Sequence, residues 1–80
     1  MEIKQEKIDS LTLLLLYLNS WEEKDFTDPV RRAWKGHDFG ALDRLEENGL
    51  ITQSRKGKSL FITGEGIEKA KEFMQLLEEL

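Results

Sequence analysis

The run Leu11-Thr12-Leu13-Leu14-Leu15-Leu16-Tyr17-Leu18 carries six leucines in eight residues, and few folded contexts accept it. A bilayer is excluded, because a spanning helix takes about 20 apolar residues. A signal peptide fits poorly as well. Glu2, Glu6 and Asp9 spoil a positive leading region, and Asn19-Ser20-Trp21-Glu22-Glu23 offers no small-residue cleavage site. The remaining reading is a helix over roughly Gln5 to Asn19, since Leu is a strong helix former and neither Gly nor Pro interrupts the stretch. Ile8, Leu11, Leu15 and Leu18 fall on one stripe at helical spacing, and Leu13, Leu16 and Tyr17 fall off it. A helix apolar on nearly all sides is buried on nearly all sides. The second apolar side therefore points to a partner chain, and the expected compartment is the cytoplasm.

Length sharpens that expectation. The 80 residues form a single domain over 1–80 with one small core of marginal stability. No Cys is present to staple it, so oligomerisation is the available reinforcement. A lone His excludes a multi-histidine metal site within one chain. No cofactor is expected. Gly64-Glu65-Gly66 lacks the pattern of a nucleotide loop, no nucleophile elbow occurs, and the pairs Glu22-Glu23 and Glu46-Glu47 lie in charged stretches with nothing to raise their pKa. The chain reads as no enzyme.

After the first helix, Trp21 to Thr27 reads as a polar connection. Asp28-Pro29 reads as an N-cap followed by proline at the first helical position, opening a short helix with Val30, Ala33 and Trp34 on its apolar side and Gly36 at its end. Asp38 caps a third helix that buries Phe39, Leu42 and Leu45 and stops at Asn48-Gly49. There a left-handed Gly49 brings Leu50 onto Leu45. Leu50-Ile51-Thr52 and Ser59-Leu60-Phe61-Ile62 read as a hairpin around a polar turn. Thr63 caps a last helix running to about Leu77, with Ile62 and Ile67 as a hydrophobic staple. Ile67, Ala70, Met74 and Leu77 give it one apolar stripe, and Phe73, Leu76 and Leu80 give it a second. The expected fold is mostly α with a small β-hairpin, in the order α-α-α-β-β-α.

That order is the order of a winged helix-turn-helix domain. Leu45-Glu46-Glu47-Asn48-Gly49-Leu50-Ile51, followed by Ile62-Thr63-Gly64-Glu65-Gly66-Ile67, resembles the segments flanking the wing in MarR- and PadR-type bacterial regulators. In those families a helix ends in L-E-x-x-G-L-I and the last helix opens with L-T-x-x-G. Trp34-Lys35-Gly36-His37-Asp38-Phe39, running into Leu42-Asp43-Arg44-Leu45, resembles a small prokaryotic domain family of unknown function. The regulator resemblance implies that the helix over Asp38–Asn48 enters the major groove of double-stranded DNA and that the wing touches phosphates. It also implies pairing through the terminal helices.

Charge fits this implication in part. The net value is −4, yet residues 31–37 and 51–62 each carry +3. The first island supplies Arg31, Arg32 and Lys35, and the second supplies Arg55, Lys56 and Lys58. On the groove helix Arg44 is the one base reader, with the outward residues Asp43 and Glu47 opposing an anionic surface. Two functions follow. The first is DNA binding by a small transcriptional regulator, through Arg31, Arg32, Lys35, Arg44, Arg55, Lys56 and Lys58. The second is a homodimeric protein-interaction module of the same fold without DNA binding. Either one pairs through Leu13, Leu16, Tyr17, Phe73, Leu76 and Leu80.

Overall fold

The structure, a computed structural model, describes residues 4–23, 30–54 and 57–78. Its elements are α1 (Gln5–Leu18), β1 (Trp21–Glu23), β2 (Val30–Trp34), α2 (Phe39–Glu47), β3 (Ile51–Gln53), β4 (Ser59–Ile62) and α3 (Gly64–Glu78). The strands make one antiparallel sheet in the order β1-β2-β4-β3. This mixed α-β-β-α-β-β-α fold corrects the expected mostly helical α-α-α-β-β-α order. Among the described residues there is no helix-turn-helix, because its first helix is replaced by strand β2.

The reason lies in what Val30–Trp34 can pair with. Val30, Ala33 and Trp34 satisfy a helical spacing, but a helix of five or six residues has barely completed the costly nucleating turn. As a strand the same residues make two ladders, to β1 and to β4, and place Ala33 opposite Leu60 in the core. Asp28 and Pro29, which signalled a helix start, lie outside the described residues. The hairpin expected as a wing is present as β3 and β4, but it forms one half of a four-stranded sheet.

Register sorts the sheet into two faces. Ala33, Ile51, Leu60 and Ile62 point inward and pack with Leu13 and Leu16 of α1, Leu42 and Leu45 of α2, and Ala70 of α3. Tyr17, Leu50, Ile67 and Phe73 close the edges of that core. All three helices thus contribute to a layer on one side of the sheet.

The helix stops behave as the residues dictate. The Asp38 side chain accepts the Ala41 N–H at 3.1 Å and opens α2. Gly49 closes it with φ 75°, while its N–H reaches the Glu46 carbonyl and the Leu50 N–H reaches the Leu45 carbonyl, each at 3.0 Å. A side chain at Gly49 must hold the left-handed backbone, so Gly49→Val is expected to destabilise the fold by about 1–2 kcal/mol, read from thermal denaturation. An unchanged melting temperature would contradict that geometry. Thr63 Oγ1 accepts the Gly66 N–H at 3.0 Å and donates to the Gly49 carbonyl at 2.7 Å, tying the start of α3 to the end of α2.

The two faces of α1 are the reverse of the simplest stripe assignment. Leu13 and Leu16, expected at a dimer interface, are fully buried in the monomer core. Thr12 and Leu14 are buried as well. Leu11, Leu15 and Leu18, expected inside, face outward at 58%, 48% and 55% exposure. Phe39, expected inside, is also exposed, while the small Ala41 is fully buried. No helix among the described residues is long and apolar enough to cross a membrane.

Candidate functional site

Three of the residues expected to meet DNA, Arg31, Lys35 and Arg44, are hydrogen-bonded to the protein's own groups. Arg44 forms a two-pronged pair with Asp9 across α2 and α1, with Nε to Oδ2 at 2.8 Å and Nη2 to Oδ1 at 2.9 Å. The Asp9 hydrogen bond holds the Arg44 guanidinium above its ordinary pKa; desolvation opposes it, and the charges of Asp9, Asp38 and Glu47 add to the rise. The pair ties Nε and Nη2 to Asp9, so this edge of the guanidinium could make a two-pronged contact to a guanine only by breaking it. Beside it, Asp43 and Glu46 accept hydrogen bonds from the Gln53 side chain.

The first basic island splits between the two faces of β2. Arg31 lies on the helix side, donating from Nε to Ser20 Oγ at 2.9 Å and from Nη2 to the Ser20 carbonyl at 3.0 Å, with its guanidinium 5.6 Å from the Tyr17 ring centre. Arg32 lies on the opposite face. Lys35 donates from Nζ to the Ser54 carbonyl. In the second island Lys58 is exposed, and Arg55 and Lys56 lie outside the described residues. The two islands therefore meet only through Lys35 and Lys58 among the described residues, where β2 and β4 run side by side.

Of the residues expected at a dimer interface, Leu13 and Leu16 are internal. Tyr17 and Phe73 pack at the core margin, Leu76 is exposed, and Leu80 lies outside the described residues. The exposed apolar residues of α1 are Leu11, Leu15 and Leu18, and those of α3 are Leu76 and Leu77.

Trp21 and Trp34, which the sequence offers either as core filling or as a ligand pocket, come together on a second surface. Trp21, Arg32, Phe61 and Thr52 stand opposite one another across all four strands, with Trp34 and Ser59 in the next row on the same face. The Arg32 guanidinium lies 4.3 Å from the Phe61 ring centre, a cation–π distance. Among the described residues its ion-pair partner is Glu23 at 4.0 Å, and its Nε is buried without a hydrogen-bond partner. Trp21 donates from Nε1 to Glu23 at 2.9 Å and packs against Trp34 with ring centres 5.1 Å apart, tilted by 47°. Trp34 remains 63% exposed and Phe39 is 70% exposed. The two line an open groove of about 470 Å³ with Lys35, Gly36, Gly57 and Lys58. The available signal was the alternation Arg31-Arg32-Ala33-Trp34 against Ser59-Leu60-Phe61-Ile62, which puts Arg32, Trp34 and Phe61 on one side when both segments are strands.

A family model described as "Domain of unknown function (DUF6429)" matches residues 4–79. The uncharacterized protein y4hR of Sinorhizobium fredii is 42% identical over 78 residues, covering 96% of each chain. No solved structure matches the chain. The likeness to a domain family of unknown function is thus shown. The regulator likeness rests on two local segments whose shared geometry is a helix stop at Gly49 and a helix start at Thr63.

Proposed function

We propose that this chain, which belongs to the DUF6429 family, is an interaction module that pairs with a second copy of itself through the outer face of α1. The observation that carries the reading is the exposed line Leu11, Leu15 and Leu18. Scattered exposed leucines are ordinary on soluble proteins, but leucines aligned on one helix face form a contiguous apolar patch of the kind that marks a contact surface. Their spacing of four and three residues keeps them on one side over about two turns. Ile8, half-buried, extends the line toward the amino end.

The charge pattern admits a like partner. Asp9 is the one charged residue between Lys7 and Asn19, and it is turned inward to Arg44. The outward stretch from Ile8 to Leu18 therefore carries no charge, so a second copy covers it without burying an unpaired one. Such a contact is self-complementary about a two-fold axis, the commonest arrangement of homodimers.

The wild type is expected to sediment as a dimer at micromolar concentration. Leu11→Glu and Leu15→Glu are each expected to give a monomer with unchanged far-ultraviolet circular dichroism, because neither side chain is in the core. A wild type that sediments as a monomer across that range overturns the reading.

A further inference from the structure

We propose that the groove between Trp34 and Phe39 and the adjoining sheet face form a binding site for single-stranded nucleic acid, with bases stacking on the two aromatic rings and phosphates meeting Lys58 and Arg32. The proposal does not depend on pairing through α1, whose exposed leucines are not among the residues that line the groove.

The first ground is the exposure of aromatic area where the protein had means to avoid it. Trp34 and Phe39 are among the most exposed large apolar residues of the chain, and they line one groove. Trp34 is also held in place rather than loose. Trp21 packs against it and is itself fixed by the hydrogen bond to Glu23. A buttressed ring presents its free face at little entropic cost on binding. Gly36 lies between the rings in sequence, and a Cβ there would meet nothing within 4 Å, so the space above it is open.

Charge is the second ground, and it selects the occupant. The chain as a whole is acidic at −4. Among the described residues the groove is lined by Lys35 and Lys58 and by no acidic side chain. Arg32, two residues before Trp34 on the same face, has only a 4.0 Å approach to Glu23. Lys35 is engaged with the Ser54 carbonyl, which leaves Lys58 and the outer edge of Arg32 as the groups for phosphate. A purely apolar protein segment would desolvate these cations without return. A single strand supplies flat π-faces for the rings and anions for the cations together, which is how sequence-tolerant single-strand sites are built. Four-stranded sheets with helices behind and aromatic side chains on the open face are one known frame for such binding. A duplex fits badly, because its bases are already stacked and its outward side is phosphate.

The test is fluorescence anisotropy with a fluorescein-labelled 12-mer of oligothymidylate, and with the matching oligouridylate, at low salt. Saturable binding to at least one strand is expected, and the two arms separate DNA from RNA. Trp34→Ala and Phe39→Ala are each expected to weaken binding by about 5–150-fold, the range given by 1–3 kcal/mol per stacked base. Lys58→Ala should lower the slope of log K against log salt by about 0.7, the value for one phosphate contact on a single strand. An unlabelled blunt duplex of equal length should compete poorly. The proposal is overturned by absence of binding at low salt, by equal binding of duplex, or by affinity that neither aromatic substitution changes. Phe39 projects from the first turn of α2 and is outside the core, so Phe39→Ala keeps the experiment decisive even if Trp34→Ala perturbs the fold.

Discussion

Gly66→Ala is expected to destabilise the fold by about 3 kcal/mol. A Cβ on Gly66 would stand 2.0 Å from the Leu50 carbonyl oxygen, 2.8 Å from Ile62 Cγ2 and 3.0 Å from the Leu50 carbonyl carbon. The oxygen cannot simply retreat. It accepts the Thr63 N–H at 3.1 Å, and the Leu50 N–H is held by the Leu45 carbonyl at 3.0 Å. Relief therefore means moving α3 away from the end of α2, and that also strains the Thr63 hydroxyl bridge to Gly49 and Gly66. Overpacking costs about 1–3 kcal/mol and occasionally more, and a clash with held backbone falls at the upper end of that range, while a domain of this length has roughly 4–12 kcal/mol in total. Gly64→Ala is the matched control, because a Cβ there meets nothing within 4 Å. Urea denaturation should show a clearly lowered midpoint for the Gly66 variant and little change for the Gly64 variant. Equal midpoints would contradict the close approach of α3 to Leu50.

That contact also explains why part of the fold could be read from the residues. Asp38, Gly49 and Thr63 act within three to five positions of themselves, and each ends or starts a helix where its chemistry requires. The β3–β4 hairpin is local too. The resemblance to L-E-x-x-G-L-I and L-T-x-x-G tracks the same two corners, with Gly66 at the glycine of the second. It encodes how α2 hands over to β3 and how β4 hands over to α3. It carries no information on what precedes α2, and there the expected helix-turn-helix was replaced by β1 and β2.

β2 was illegible for a physical reason. Val30-Arg31-Arg32-Ala33-Trp34 satisfies spacings of three and four as well as two. What decides between them is β4, with Ala33 opposite Leu60, some 27 residues later in the chain. Local propensity cannot see a ladder of that range. The same blindness hid which residues join Trp21 and Trp34 in the candidate site. With the segment taken as a helix, Arg31 and Arg32 sat together as one basic patch. As a strand it sends Arg31 to Ser20 and Tyr17 on the helix side and Arg32 to Phe61 on the open side. Arg44 was visible as a lone cation on α2, but its partner Asp9 is 35 positions away, and no spacing rule links them.

The inversion of α1 leads to the second large effect: Leu13→Ala and Leu15→Ala should behave oppositely although they change the same residue type on one helix. A run with leucine at six of eight positions marks no preferred face, so periodicity alone cannot say which leucines are internal. Specific anchors decide it. Asp9 pairs with Arg44 of α2 on the inner side, and Leu13 and Leu16 fall into the space between Ala33, Leu42 and Ala70. Leu13 is fully buried, so its truncation leaves a cavity and should cost about 2–5 kcal/mol at every protein concentration. Leu15 is half exposed, and alanine is at least as good a helix former, so the isolated chain should change by less than about 1 kcal/mol. Its loss should appear instead in association. The wild-type melting temperature should rise with protein concentration, as it does when a fold is linked to pairing. That slope should flatten for Leu15→Ala, whereas Leu13→Ala should lower the whole line and keep the slope. Melting curves at several concentrations separate the cases. If Leu15→Ala proves as damaging as Leu13→Ala in dilute solution, the outward placement of the Leu11, Leu15 and Leu18 line is wrong. If the wild type shows no concentration dependence, the line is exposed for some purpose other than pairing.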